Sequence, residues 1–134
     1  MVMHNYTLEH IGIIVSDMEN AAGLFEMLGY TAMGGVIEDY IQNNYLRFFS
    51  VLQNVKIELI RPMNREATVY GAKVGYHHLC YRVEYDREVE LEIIRKELRQ
   101  QFHVRPITGM IAAPAFAMKD IQFFCGPNGV VLEL

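Results

Sequence analysis

Glu9-His10-Ile11-Gly12-Ile13 and His77-His78-Leu79-Cys80-Tyr81 are two copies of one pattern, a histidine set into an apolar, strand-like run. Each copy is followed by a second pattern, a glutamate set into an apolar run. These are Lys56-Ile57-Glu58-Leu59-Ile60 and Val130-Val131-Leu132-Glu133-Leu134. His10 and His78 stand 68 positions apart, and Glu58 and Glu133 stand 75 apart. Two copies at matching places describe an internal duplication and not a solenoid, which needs more repeats to bury its faces.

The segments between these anchors repeat as well. Thr7 to Val15 is rich in β-branched residues and reads as a buried strand. Ser16-Asp17 supplies an N-cap, and Asp17 to Leu28 reads as a helix with Met18, Ala21, Ala22, Phe25 and Leu28 on its apolar face. Gly29 ends it. Tyr30 to Glu38 is a strand softened by Gly34-Gly35, Tyr45 to Leu52 a strand, Gln53-Asn54 a hairpin turn, and Val55 to Ile60 a strand stopped by Pro62. The second half restarts with a strand from Gly75 to Glu84. Asp86 caps a helix to about Gln101, with Val89, Ile93, Ile94 and Leu98 on its apolar face. Strands follow at Val104 to Ile107 and Lys119 to Cys125, a turn at Gly126-Pro127-Asn128-Gly129, and a last strand at Val130 to Leu134. The expected fold class is α+β. It comprises two βαβββ modules, about 5–62 and 75–134, joined by a polar linker at 63–74 within a single domain spanning 1–134.

Bulk properties narrow the function. The chain has 134 residues, 51% hydrophobic and 21% charged, with a net charge of −4. A half of that length buries little apolar surface alone, so the modules must pack on each other, within the chain or across a dimer. No basic run exceeds Arg95-Lys96, which argues against nucleic acid. No apolar stretch approaches the roughly 18–20 residues of a membrane span. The opening Met1-Val2-Met3-His4 shows no signal peptide, and Cys80 and Cys125 read as buried reduced thiols. A cytoplasmic protein acting on a small molecule is the expectation.

The anchors carry the chemistry. A lone strand histidine is more often a core or surface residue than a ligand, and a lone strand glutamate more often faces solvent. A carboxylate inside an apolar strand is costly unless paired, metal-bound or exposed. Finding both anomalies in both halves shifts the balance to one shared metal site of His10, Glu58, His78 and Glu133. Neighbours on a strand point to opposite faces, so only one of His77 and His78 is expected to face the site. The repeat selects His78 and turns His77 away. Two imidazoles and two carboxylates suit one divalent ion, Zn²⁺, Ni²⁺, Co²⁺, Mn²⁺ or Fe²⁺. Without a thiolate, a closed structural zinc site is not expected.

On these residues the chain resembles the vicinal oxygen chelate superfamily, which includes glyoxalase I (lactoylglutathione lyase), methylmalonyl-CoA epimerase, extradiol dioxygenases and bleomycin-resistance proteins. The likeness is carried by Leu8-Glu9-His10-Ile11-Gly12-Ile13-Ile14-Val15, Ile57-Glu58-Leu59-Ile60-Arg61-Pro62, Tyr76-His77-His78-Leu79-Cys80-Tyr81-Arg82-Val83 and Gly126-Pro127-Asn128-Gly129-Val130-Val131-Leu132-Glu133-Leu134. It implies paired βαβββ modules whose curved mixed sheet encloses a metal cleft, with His10, Glu58, His78 and Glu133 as ligands. It also implies a lyase or isomerase in which the metal stabilises an enediolate next to a carbonyl. Glu58 or Glu133 would then act as the catalytic base, and the protein would be a homodimer. Epimerase-like members carry a further glutamate on the strand before Glu58. Here Arg47 occupies that place, and a fixed cation is no base, so Arg47 is expected either to bind a substrate carboxylate or phosphate or to be a solvated strand residue. A metal-free binding protein and a ring-cleaving dioxygenase are the alternatives. Binding members have often lost the ligands, all four of which are present here, and the dioxygenases use two histidines and one carboxylate, so Glu58 counts against them.

Overall fold

A computed structural model describes residues 5–51, 55–84 and 88–134. The Gln53-Asn54 turn, the Asp86 cap, His4 and the Val89 side chain lie outside the described residues. The first half runs β1 (Tyr6–Ile14), α1 (Met18–Met27), β2 (Thr31–Ala32), β3 (Ile37–Asp39), β4 (Asn44–Ser50) and β5 (Lys56–Pro62). The second runs β6 (Gly75–Val83), α2 (Glu88–Phe102), β7 (Arg105–Pro106), β8 (Ile111–Ala113), β9 (Lys119–Ile121), β10 (Phe123–Cys125) and β11 (Val131–Glu133). Short 3₁₀ turns at Pro114–Phe116 and Pro127–Gly129 follow β8 and β10.

Local chemistry explains the boundaries. The Asp17 carboxylate accepts the Asn20 N–H at 3.0 Å and caps α1, and Gly29 sits at φ +97 just past its end. Met18 and Ala22 face the core as expected, but Leu28 is exposed. Among the described side chains of α2, Leu91 and Ile94 are buried. The segment Tyr30 to Glu38 splits into β2 and β3, both paired with β4. Lys119 to Cys125 also splits, because β9 pairs with β8 in a separate hairpin while β10 joins the main sheet. β5 continues to Pro62 rather than stopping before it.

The main sheet has the order β2-β4-β5-β1-β6-β11-β10-β7, with β3 beside β4. The halves therefore pair with each other inside one chain, through the antiparallel contact of β1 with β6. Outside this pair, β5 lies parallel to β1 and β11 parallel to β6. The arrangement has the pseudo-twofold relation that the duplication demands, since His10 stands opposite Cys80 while Gly12 stands opposite His78. On one face Ile57, Leu59 and Phe49 pack against Met18 and Ala22 of α1. Leu59 and Phe49 are fully buried, each worth about 1.5–3 kcal/mol of burial. On the other face Ile14, Leu46, Phe48, Ile60 and Val69 form a second cluster, with Phe116 against it. Val69 belongs to the stretch read as a linker, so that stretch contributes to the core. Among the described residues no helix is long and apolar enough to cross a membrane.

Candidate metal centre

The strand registers bring the four anchors to one place. Glu58 on β5 stands beside Gly12 on β1, which stands beside His78 on β6. In the mirrored row, His10 on β1 stands beside Cys80 on β6, which stands beside Glu133 on β11. Residues two apart share a strand face, so both rows point to the same side. One donor atom from each of His10, Glu58, His78 and Glu133 lies within 4.8 Å of all the others, and all four residues are buried.

The contacts are mutual. The Nε2 atoms of His10 and His78 are 3.0 Å apart. Glu133 Oε1 lies 2.8 Å from His78 Nε2 and 3.4 Å from His10 Nε2. Glu58 Oε1 lies 3.4 Å from His10 Nε2 and 3.6 Å from His78 Nε2. Burial works against charge on His10, but Cys80 and the Glu133 and Glu58 carboxylates outweigh it and push the imidazole up to about 12. Burial likewise opposes charge on Glu133, yet hydrogen bonds with His10 and His78 hold its carboxyl down at about 2. The Cys80 thiol, mainly through burial, is pushed up to about 11 and is no nucleophile at neutral pH.

The donor set fits a divalent cation. Two buried carboxylates and two ring nitrogens crowd together within 4.8 Å of one another, and without a cation only shared protons hold them there. Hard oxygen and borderline nitrogen donors in a 2:2 ratio match Zn²⁺, Ni²⁺, Co²⁺ or Mn²⁺. The backbone makes room as well. A Cβ on Gly12 would lie 2.2 Å from His78 Cε1 and 2.4 Å from its Nδ1, so the imidazole occupies space that only glycine leaves free.

Two expectations change. His77 does not turn away from the site. Between Gly12 opposite His78 and Ile13 opposite Tyr76 the register shifts by one residue, and His77 is the extra residue. Such a bulge breaks the alternation of faces and re-aims a side chain. His77 lines the same cavity as His78, its Nδ1 2.7 Å from that of His78, and both rings contact Phe123. Burial, then the neighbouring His78, push His77 down to about 4. The mirrored bulge on β1 falls at Glu9. The second correction concerns Arg47. It pairs with Leu59, while Phe48 pairs with Glu58. Arg47 therefore shares the α1 face, its guanidinium 5.2 Å from the centre of the Phe49 ring, and it lines neither cavity at the cluster.

A polar wall was not anticipated. Asp39, Gln42 and Asn44 line the small cavity of about 20 Å³ at the cluster, together with Glu58, His78 and Glu133. Asp39 is fully buried and accepts the N–H groups of Ile41 and Gln42 at 3.0 and 2.9 Å. Asn44 donates to Thr68 Oγ1 at 3.0 Å, which bonds Gln42 Oε1 at 3.3 Å. In the sequence these residues form a polar loop like any other, and only the fold brings them to the cluster. Tyr81 lines the adjacent larger cavity, whereas Tyr70 and Tyr76 are more than half exposed. His103 is exposed. Cys80 and Cys125 are both free thiols, the first buried and the second half-buried.

A family model for the glyoxalase/bleomycin resistance protein/dioxygenase superfamily matches residues 9–113. The chain belongs to this superfamily. Among its relatives, the ethylmalonyl-CoA/methylmalonyl-CoA epimerase of Cereibacter sphaeroides is 35% identical over 83 residues, 58% of this chain and 60% of that protein. The human mitochondrial methylmalonyl-CoA epimerase is 25% identical over 100 residues, 69% of this chain and 54% of that protein. The chain thus matches little more than half the length of these curated superfamily members. The crystal structure of methylmalonyl-CoA epimerase from Mycobacterium tuberculosis superposes with a TM-score of 0.74 over 95% of this chain and 85% of that one, at 23% identity, and shares the superfamily fold.

Proposed function

We propose that the protein is a metal-dependent epimerase acting at the carbon next to the thioester carbonyl of a small acyl-CoA. The convergence of His10, Glu58, His78 and Glu133 in one buried cluster is the observation that carries this reading. The epimerase names of its relatives select thioesters from the substrates such a site can take. Lewis acidity toward a carbonyl oxygen is the chemistry that a divalent ion held by these four side chains supplies.

The remaining work falls to the chain. A carbon acid beside a thioester needs a base within reach and a site that excludes bulk water. Phe48, Phe116, Ile121 and Phe123 supply the apolar walls around the cluster. Two carboxylates of the donor set face it, with the buried Asp39 a third on the cavity wall, and the first two are not equivalent. Glu133 is held at 2.8 Å by His78, whereas the closest histidine nitrogen to Glu58 is 3.4 Å away. The less tightly held Glu58 is the better placed to take the α proton and return it to the other face of the carbon. Glu133 and the two histidines serve as the fixed anchors. No acid stands opposite Glu58 on β4, where Phe48 occupies the paired position. Asp39, the other acid lining the cavity, is tied to the Ile41 and Gln42 N–H groups, so the proton transfer is assigned to the cluster's own carboxylates, as it would be in the alternative lactoylglutathione-lyase-like isomerisation at this site.

The test is hydrogen exchange at the α carbon of methylmalonyl-CoA in D₂O, followed by NMR with the metal-loaded protein. Wild type should exchange the α proton, chelated protein should not, and Glu58→Gln should keep its ion while losing exchange. No exchange by fully metal-loaded wild type on this or ethylmalonyl-CoA would remove the proposal. Exchange seen only with a 2-oxoaldehyde–thiol adduct would replace it with the lyase-like reading.

A further inference from the structure

Beside the cluster lies a second cavity of about 660 Å³, in the size range of small-molecule sites. Ala115, Phe116 and Ile121 line both cavities. The Phe116 ring stacks on His10 with centroids 5.9 Å apart and meets Phe48 edge-on at 6.2 Å, so it forms the partition between them. The far wall of the larger cavity is charged. Lys56 and Arg82 line it with Glu9 between them, and Lys56 Nζ lies 3.0 Å and Arg82 Nη2 2.8 Å from the Glu9 carboxylate.

The arrangement is built rather than incidental. Lys56 precedes Glu58 by two residues and stands beside His10, and Arg82 follows Cys80 by two, so both strands direct these cations to the face of the cluster. The bulge at Glu9 turns its carboxylate to the same side, where its side chain is only 9% exposed. Glu9 thereby fixes both cations while neutralising one, and the set keeps one net positive charge. Their outer donors stay open to the cavity, with Lys56 34% and Arg82 66% exposed. The duplication sharpens the point. The repeat counterparts of Glu9, Lys56 and Arg82 are His77, Val131 and Ile14, so the opposite end of the cleft lacks this charge.

We infer that the larger cavity is a binding site for the phosphate-bearing tail of the thioester substrate, with Lys56 and Arg82 as its anion contacts. Guanidinium and ammonium groups pre-oriented by a half-buried carboxylate suit a phosphate. The shared lining at Ala115, Phe116 and Ile121 sets the two cavities side by side, so the acyl end of a tail held there lies next to the cluster. This inference rests on the acyl-CoA reading above and names the part of the chain that would recognise the carrier.

The test is calorimetric binding of propionyl-CoA and of phosphate-free propionyl-pantetheine to the metal-loaded protein. Wild type should prefer propionyl-CoA by about tenfold or more, and added salt should erode that preference. Lys56→Met and Arg82→Met should each remove most of it, roughly fivefold. Glu9→Gln, which frees one positive charge, should tighten propionyl-CoA binding, whereas a purely structural role for Glu9 would weaken it. Equal binding of the two thioesters by wild type, or undiminished preference in both cation variants, would overturn the inference. If wild type exchanges the α proton of acyl-CoA while those variants bind as wild type does, this inference alone falls. If wild type neither exchanges nor binds, the epimerase reading falls with it.

Discussion

Replacing Gly12 with alanine should disable the metal centre without unfolding the protein. The added Cβ would sit 2.2 Å from His78 Cε1, 2.4 Å from Nδ1 and 2.9 Å from Nε2, where ordinary contact begins at 3.4 Å. The imidazole must therefore retreat by about 1 Å or rotate out of its place, and a misplacement of that size at a reacting site costs on the order of a hundredfold. His78 Nε2 now lies 2.8 Å from Glu133 and 3.0 Å from His10 Nε2, so any such movement opens the donor set. We expect divalent-ion affinity to drop roughly 10–100-fold, or about 1.4–2.8 kcal/mol. Overpacking should cost about 1–3 kcal/mol of stability, part of it recovered because alanine orders a strand better than glycine. Competition with a chromophoric chelator measures the affinity, the visible spectrum of the Co²⁺ form reports the ligand geometry, and circular dichroism checks the fold. The opposite change at the pseudo-twofold mate, Cys80→Gly, adds no atoms beside His10 and removes only its thiol contact, so it should perturb the Co²⁺ spectrum less than Gly12→Ala does. A Gly12→Ala protein with wild-type affinity and an unaltered Co²⁺ spectrum would refute the steric argument and the placement of His78.

Other outcomes follow from the same geometry. Elemental analysis of purified protein should find about one divalent ion per chain, lost in both Glu58→Ala and His78→Ala, since each removes one of only four donors. His77→Ala should weaken ion binding by about tenfold and His77→Gln by less, because the bond between the two Nδ1 atoms orients the His78 ring; equal losses would deny that role. In the metal-free cluster His10 keeps its proton well past neutrality, its imidazole pushed up to about 12, so ion uptake at neutral pH should release a proton and affinity should fall as pH falls. Calorimetry in buffers of different ionisation enthalpy reads that release directly. Arg47→Ala should leave the KM for thioester within about twofold while lowering the melting temperature slightly, since the guanidinium contributes about 0.5–1 kcal/mol over the Phe49 ring.

Much of the site was legible because duplication writes each anomaly twice. His10 and His78 recur with the same apolar neighbours, as do Glu58 and Glu133, and a charge that survives twice inside an apolar strand needs a reason. The face of each residue was less legible. Alternation along β6 turned His77 away, and the bulge that returned it arises only where β6 pairs with β1. Arg47 was placed by its position along β4, but the β4–β5 register set Phe48, not Arg47, across from Glu58. Asp39, Gln42 and Asn44 carry no local mark at all, because a polar turn looks alike whether it faces water or a buried cavity.

By itself the sequence determined most of the elements and singled out the four residues that meet in the cluster. Periodicity, caps and turn residues are local, and the repeat of two rare placements reports a shared environment without showing it. The tertiary structure alone decided that the two halves pair within one chain, that Gly12 clears the space His78 fills, and that Glu9, Lys56 and Arg82 meet at one end of the cleft. Those outcomes depend on strand register, and register is set by contacts between segments tens of residues apart, which no local pattern encodes.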